Sequence, residues 1–375
     1  MKSFDIQKYI RKNPPQDGKI FRSCDGFFSF AVVVPMLNEN DNAADFFQTL
    51  KTAIADSNEK ILIAAVVNCA ANSPDDFKAD NQKLLMRLVA NEFKIPNLAV
   101  IDCTSENKYL KNGVGEARKT GMDFVLNHFD IDDFENAVIA SLDADTIIDK
   151  NYFTAIRENF KCNPDCGALT FNVCHRNDAA NPAALARYEL YMKSYYEGLK
   201  YAESPYAFYT VGSAFAVRAS SYIHAGGMRK LKAGEDFYFL QSVVKSSKVR
   251  HCPAITVYPS ARFSPRVPFG TGTALQSISN NEKEYSPYPQ HAFDSLKKVI
   301  ENAVAEKLAS PEKYLASLPQ DLPPFFEQYD FISDWRKVAA NMPQSQLPSA
   351  FLHHWFDGLK TLQFIKYCTA NCNHK

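Results

Sequence analysis

The residues with the strongest chemical content are Asp143 and Asp145, two carboxylates separated by Ala144 just after the apolar run Ala137-Val138-Ile139-Ala140. Side chains at i and i+2 of an extended segment point the same way. Such a pair can hold a hard divalent cation, Mn2+ or Mg2+, that shares its remaining oxygen ligands with phosphate. The competing reading is a polar exit from a strand, with the acids capping a helix that starts near Asp149. Polar groups also end other apolar runs: Asn38-Glu39 after Phe30–Val34, Asn68 after Ile61–Val67, and Asp102 after Leu98–Ile101. Gly113-Val114-Gly115 opens a helix, and glycines there suit close approach of a phosphate or nucleotide to backbone N–H groups. This is not a Walker A loop, because Gly-Lys-[Ser/Thr] is missing. Nor is it the dinucleotide fingerprint, because it does not follow the first strand.

These groups need a frame. Residues 1–150 alternate strand and helix four times, the pattern of a doubly wound, mostly parallel α/β sheet. Ligands on such sheets bind beyond the carboxyl ends of the strands, where the polar groups above fall. Pro35 is expected to stop the first strand, and Asp41 or Asn42 to cap the helix after it. Further on, a helix is expected at about 151–160 and strands at Ala168–Val173, Tyr209–Val217 with Gly212-Ser213 inside it, and Val249–Tyr258. Pro182–Tyr201 reads as a long Tyr-rich helix, Gly226-Gly227 as a turn, Glu235-Asp236 as a helix start, and Ser260–Thr273 as a loop. Residues 1–28, polar and containing Asn13-Pro14-Pro15, read as an irregular arm. The periodicity from about 290 is helical, ending in an amphipathic helix at Ala350–Tyr367. The expected organisation is therefore an arm at 1–28, one domain at 29–288 whose two halves divide at about 150, and a helical region at 289–375.

Composition narrows the function classes. Of 375 residues, 42 are Lys or Arg and 42 are Asp or Glu, so the formal net charge is zero. With no basic run either, nucleic acid is not an expected partner. No stretch reaches the ~18 apolar residues of a membrane span, and the start lacks the apolar core of a signal peptide. A cytoplasmic protein, or one peripheral to a membrane, is expected. The nine Cys are irregularly spaced, and neither Cys162/Cys166 with Cys174-His175 nor Cys368/Cys372 with His374 has the paired spacing of a common zinc module. The Tyr cluster at 188–209 suits either packing or a sugar-stacking surface.

In their order along the chain, four short motifs resemble a family 2 glycosyltransferase of GT-A fold. They are Val34-Pro35-Met36-Leu37-Asn38-Glu39, the Gly113–Gly121 stretch with Ala117-Arg118, Asp143-Ala144-Asp145, and Gly226-Gly227 followed by Gly234-Glu235-Asp236. The resemblance covers about residues 28–270, and it implies a nucleotide-binding half to about 150 and an acceptor half after it. It implies a hexosyltransferase-like enzyme of cell-envelope polysaccharide type that moves a sugar from a nucleotide-diphospho-sugar to an acceptor hydroxyl. The acceptor would be a carbohydrate, a lipid-linked compound or a small molecule. On the donor side it implies Pro35, Asn38 and Glu39 by the base and ribose, Gly115 and Arg118 reaching the nucleotide, Asp143 and Ala144 near the ribose or sugar, and Asp145 on the metal. Asn68 stands where family members often carry an acidic residue, so it becomes the candidate for base contact. Asp236 would be the general base for an inverting displacement. Against that stand a retaining enzyme, in which Asp236 orients the acceptor, a carboxylate merely favoured by the helix dipole, and a binding protein without turnover. Gly212, Ser213, Glu235, Arg262 and Arg266 are candidates on the acceptor or diphosphate side. Arg118, Arg262 and Arg266 read equally as surface charges. His251 is a further candidate metal ligand, as His175 is for ligand or acceptor contact.

Overall fold

The computed structural model describes residues 3–14, 19–105, 108–262 and 270–371. The chain divides into two compact units, Met1–Leu185 with Phe208–Lys283, and Ala186–Ala207 with Glu284–Lys375.

The first unit is built on nine strands: β1 Lys19–Arg22, β2 Phe30–Met36, β3 Ile61–Asn68, β4 Leu98–Cys103, β5 Val138–Ser141, β6 Ile147–Ile148, β7 Cys166–Val173, β8 Phe215–Arg218 and β9 Lys248–Tyr258. Their order across one sheet is β1-β4-β3-β2-β5-β8-β7-β9-β6. The inner set β4-β3-β2-β5 is parallel, with Phe30 opposite Ile61 on one side and Val138 on the other. Every residue of β2 and β3 is buried, as expected for strands whose apolar runs do not alternate. The second half is mixed: β8 runs antiparallel to β5 and β7, β9 is parallel to β7, and β6 is antiparallel to β9. Helices flank the sheet, so the expected α/β architecture is present.

Several local expectations need correction. Pro35 does not stop β2; it pairs in register with Val66 and the strand continues to Met36. Asn42 is the N-cap of helix Ala43–Asp56 but makes no side-chain cap bond. Gly212-Ser213 lie in the turn before β8, not inside a strand. Asp143 and Asp145 lie past the end of β5, in the turn to β6, so they are not on one extended segment. Residues 1–28 are not wholly irregular, since they contain the helix Ser3–Lys12 and β1, which pairs antiparallel with β4. Ile6 and Tyr9, three residues apart, bury one face of that helix.

In the second unit, Phe293, Leu296, Tyr314, Phe326, Trp335, Phe351 and Phe364 form a separate core with Leu199 and Ala202. The expected final helix is broken: Leu347–Ala350 passes into a π-helical turn at Phe351–Trp355, and a new helix runs Gly358–Asn371. Among the described residues no helix is long and apolar enough to cross a membrane.

Candidate active site

The site is built around Arg118, on helix Gly113–Val125. That helix lies very close to the sheet: a Cβ on Gly121 would stand 2.4 Å from Val33 Cγ1. The close approach sinks the start of the helix toward the strand ends, and Arg118 is only 2% exposed. Its fork is spent on three separate partners. Nε donates to Glu235 Oε1 at 2.9 Å, Nη1 to Ser141 Oγ at 2.6 Å, and Nη2 to Asp143 Oδ1 at 2.5 Å. Burial alone would lower the guanidinium pKa, but Asp143 and Glu235 more than offset it and hold the charge in place. Gly212 covers the fork, since a Cβ there would stand 2.3 Å from Nη2. One buried cation thus joins the end of β5, the Asp143–Asp145 turn and the start of helix Glu235–Val244. Arg118 is not a solvated helix charge.

The Glu235-Asp236 pair divides in two. Glu235, 4% exposed, is anchored on Arg118. Asp236 accepts from the Phe237 N–H at 2.7 Å. Burial first, then the Glu235 carboxylate, push its pKa up to about 7, against the Phe237 N–H and the Arg118 charge. Two adjacent carboxylates with environments driven apart are the usual setting for distinct roles.

A second cation bridges the other carboxylates. Arg262 Nη2 bonds Glu39 Oε1 and stands 3.3 Å from Asp145 Oδ2. Asn42 Nδ2 donates to Glu39 Oε2 at 2.7 Å. The end of β2, the Asp-x-Asp turn and the segment after β9 therefore meet at Arg262. Arg266 lies outside the described residues.

The remaining strand ends are tied by a residue that sequence reasoning missed. Asn81, fully buried on helix Asp75–Val89, accepts from the Asn38 N–H at 2.9 Å and donates to Asn68 O at 3.0 Å. It holds Asn38 at a left-handed φ of 56°. With the Asn68 amide turned over so that its nitrogen faces the neighbouring carbonyls, that nitrogen can donate to Met36 O and Val66 O, both at 3.3 Å. Only the internal position of Asn81 on an otherwise apolar helix face could have signalled this. The glycines are also spent locally. Gly115 N–H donates to Leu231 O at 3.1 Å, and a Cβ on Gly115 would meet that oxygen at 2.5 Å. Packing of 229–231 against the helix start accounts for that glycine, and its N–H is not offered to a phosphate.

Ser213, 1% exposed, has an Oγ without a hydrogen-bond partner among the described residues. His251, on β9, faces Asn172 Oδ1 at 3.0 Å and packs edge-on to Tyr209. His175 contacts Thr271 Oγ1 at 3.1 Å. Among the described residues no group of three His, Cys, Asp or Glu could hold a metal ion. The oxygen donors present, Asp145 and Asp143, still fit a cation that takes one or two carboxylates and completes its shell with phosphate oxygens and water.

No protein-family model matches the chain, and no curated protein matches it. Several solved structures align with most of it. TarS 1-349 of S. aureus in complex with UDP-GlcNAc is 13% identical, with 83% of this chain and 90% of that chain covered at a TM-score of 0.47. The mannosyltransferase PcManGT from Pyrobaculum calidifontis, in complex with GDP-Man and Mn2+, is 14% identical, with 95% and 96% covered at a TM-score of 0.40. Glucosyl-3-phosphoglycerate synthase from Mycobacterium tuberculosis, in complex with Mn2+, UDP and glucosyl-3-phosphoglycerate, is 8% identical, with 86% of each chain covered at a TM-score of 0.40. These are likenesses of backbone at low identity, so residue roles here rest on this chain's own contacts.

Proposed function

We propose that the chain is a glycosyltransferase that moves a sugar from a nucleotide-diphospho-sugar to an acceptor hydroxyl with inversion. The observation that carries this reading is the Arg118 fork, which brings a cation-competent carboxylate turn and a carboxylate of raised pKa into one site. Departure of a diphosphate leaves negative charge at one end of the reaction, and the acceptor must lose a proton at the other. The site has groups suited to both ends.

At the leaving end, Asp145 and Asp143 would hold Mn2+ or Mg2+ against the diphosphate, and the cation would supply Lewis-acid stabilisation of the developing charge. Arg262, half-exposed and shared between Glu39 and Asp145, is placed to turn a donor toward phosphate oxygens once the carboxylate is taken by the cation. At the acceptor end, Asp236 takes the hydroxyl proton. A base titrating near 7 combines a large ionised fraction at neutral pH with useful proton affinity. Glu235 stays on Arg118 and fixes the helix start that carries Asp236. Asn81 holds the Asn38 and Asn68 loops that border the base and ribose. The Tyr-rich part of Pro182–Tyr201 belongs to the second unit.

The test is Asp236→Asn. It is expected to bind nucleotide-sugar as the wild type does and to lose transfer by about a thousandfold or more, within the range for removal of a general base. Transfer within tenfold of wild type would remove Asp236 as the base. The anomeric configuration of the product, read by NMR, separates inversion from retention.

A further inference from the structure

A second buried polar cluster lies on the same helix as Arg118. Asp123, 2% exposed, accepts at Oδ1 from the Tyr222 hydroxyl at 2.8 Å and the Tyr9 hydroxyl at 3.0 Å. Lys119 Nζ stands 2.8 Å from Asp123 Oδ2 and donates to Tyr9 Oη at 3.3 Å and Asn13 Oδ1 at 3.2 Å. A buried Lys–Asp pair persists only when its other donors and acceptors find partners. Here the N-terminal helix Ser3–Lys12 and Asn13 supply two of them. Burial first and Asp123 second raise the Tyr9 pKa, so its hydroxyl keeps its proton and donates.

The Tyr9 hydroxyl also accounts for the second glycine of Gly226-Gly227. A Cβ on Gly227, whose φ is +78°, would stand 1.9 Å from Tyr9 Oη. From Gly227 the chain runs to Asp236, held along the way by the Arg118 helix. Lys230 Nζ is 3.6 Å from Glu116 Oε1, and Leu231 O accepts from Gly115 N–H at 3.1 Å. The far end of the segment is Glu235 on Arg118. Tyr222 also packs on Phe239 of the following helix, centroids 5.6 Å apart.

We propose that Tyr9 is a positioning residue. Through Asp123 and Lys119 it clamps the N-terminal helix over Gly227, and the clamp holds the 227–236 segment so that Asp236 stays in place as the base. The consequence for catalysis rests on the transferase reading; the clamp itself does not.

Tyr9→Phe keeps the ring against Tyr222 and removes the hydroxyl. Hydrogen exchange by mass spectrometry is expected to rise about tenfold or more in peptides covering 227–236, and to stay unchanged in peptides covering β2. With a nucleotide-sugar that binds, kcat for donor turnover is expected to fall about tenfold with donor KM within about twofold. If Tyr9→Phe does not fold, Asn13→Ala, which removes a Lys119 partner together with the Asn13 Nδ2 bond to Tyr9 O and leaves the Tyr9 hydroxyl in place, is expected to raise exchange in the same peptides about threefold. Unchanged exchange in 227–236, or an equal rise in every peptide, overturns the clamp. If the wild type binds no nucleotide-sugar but exchange responds as stated, the clamp stands and the transferase reading falls. The reverse pattern removes the clamp and leaves that reading intact.

Discussion

Replacing Arg118 with Met keeps the volume roughly constant and removes the charge. The effect can be worked partner by partner. Glu235 has 5% of its side chain exposed and would lose the guanidinium at 2.9 Å, its only cation among the described residues. Removing one partner of such a buried pair costs about 3–5 kcal/mol, because the other charge remains buried. Asp143 is 35% exposed and can turn to water, so its share is about 1 kcal/mol or less. The lost bond to Ser141 adds about 1 kcal/mol. Non-additivity among neighbours brings the expected total to about 4–6 kcal/mol, a large part of the roughly 5–15 kcal/mol that holds a typical domain. Arg118→Lys should lie in between, since an ammonium cannot reproduce a fork that serves three partners. The double variant Arg118→Met with Glu235→Gln should recover about 2 kcal/mol, because no orphan carboxylate remains. The assay is urea unfolding at pH 8 followed by far-ultraviolet circular dichroism. Far-ultraviolet circular dichroism is chosen because both tryptophans, Trp335 and Trp355, lie in the other unit. A loss below about 1.5 kcal/mol for Arg118→Met, or a double variant no better than the single one, would refute the reasoning.

Other expected outcomes follow from the same contacts. Gly212→Ala puts a methyl 2.3 Å from Arg118 Nη2, and should cost about 1–3 kcal/mol in the same unfolding assay. Asp236 holds its proton up to about pH 7, so transfer should fall about tenfold per pH unit below 7 in a pH–rate profile. Because the folded state raises that pKa, stability from this group is full below the ordinary carboxylate range and is lost as pH rises through about 7; melting curves from pH 4 to 8 for wild type against Asp236→Asn should converge at the low end. Asn81→Leu leaves the Asn38 N–H and Asn68 O without their partner, and should weaken nucleotide binding about tenfold or more by calorimetry, whereas a variant at exposed Lys83 on the same helix should not.

The parallel half of the sheet was legible because its strands carry long apolar runs, which only burial on both faces explains. Pro35 misleads because a proline usually ends a strand, whereas here it keeps its register opposite Val66. The N-terminal helix was hidden by Asn13-Pro14-Pro15, although Ile6 and Tyr9 carry its buried face. The chemical residues were legible as types at strand ends. Their wiring was not, because Arg118 meets a partner 117 positions away and Asn81 looks like any polar residue within a helix. Gly115, read as suiting a phosphate, packs against the Leu231 carbonyl instead, and the turn glycine Gly227 makes room for the Tyr9 hydroxyl, since sequence shows a need for space without showing what fills it.

The central claim is that Asp145 and Asp143 serve a cation shared with a nucleotide diphosphate. Titration calorimetry with a panel of UDP-, GDP-, ADP- and CDP-sugars, with and without Mn2+, tests it most directly. One donor is expected to bind in Mn2+ and to lose about tenfold or more in affinity both without the metal and in Asp145→Asn. Absence of binding by every donor with the metal present, or metal-independent binding unaffected by Asp145→Asn, would contradict the account.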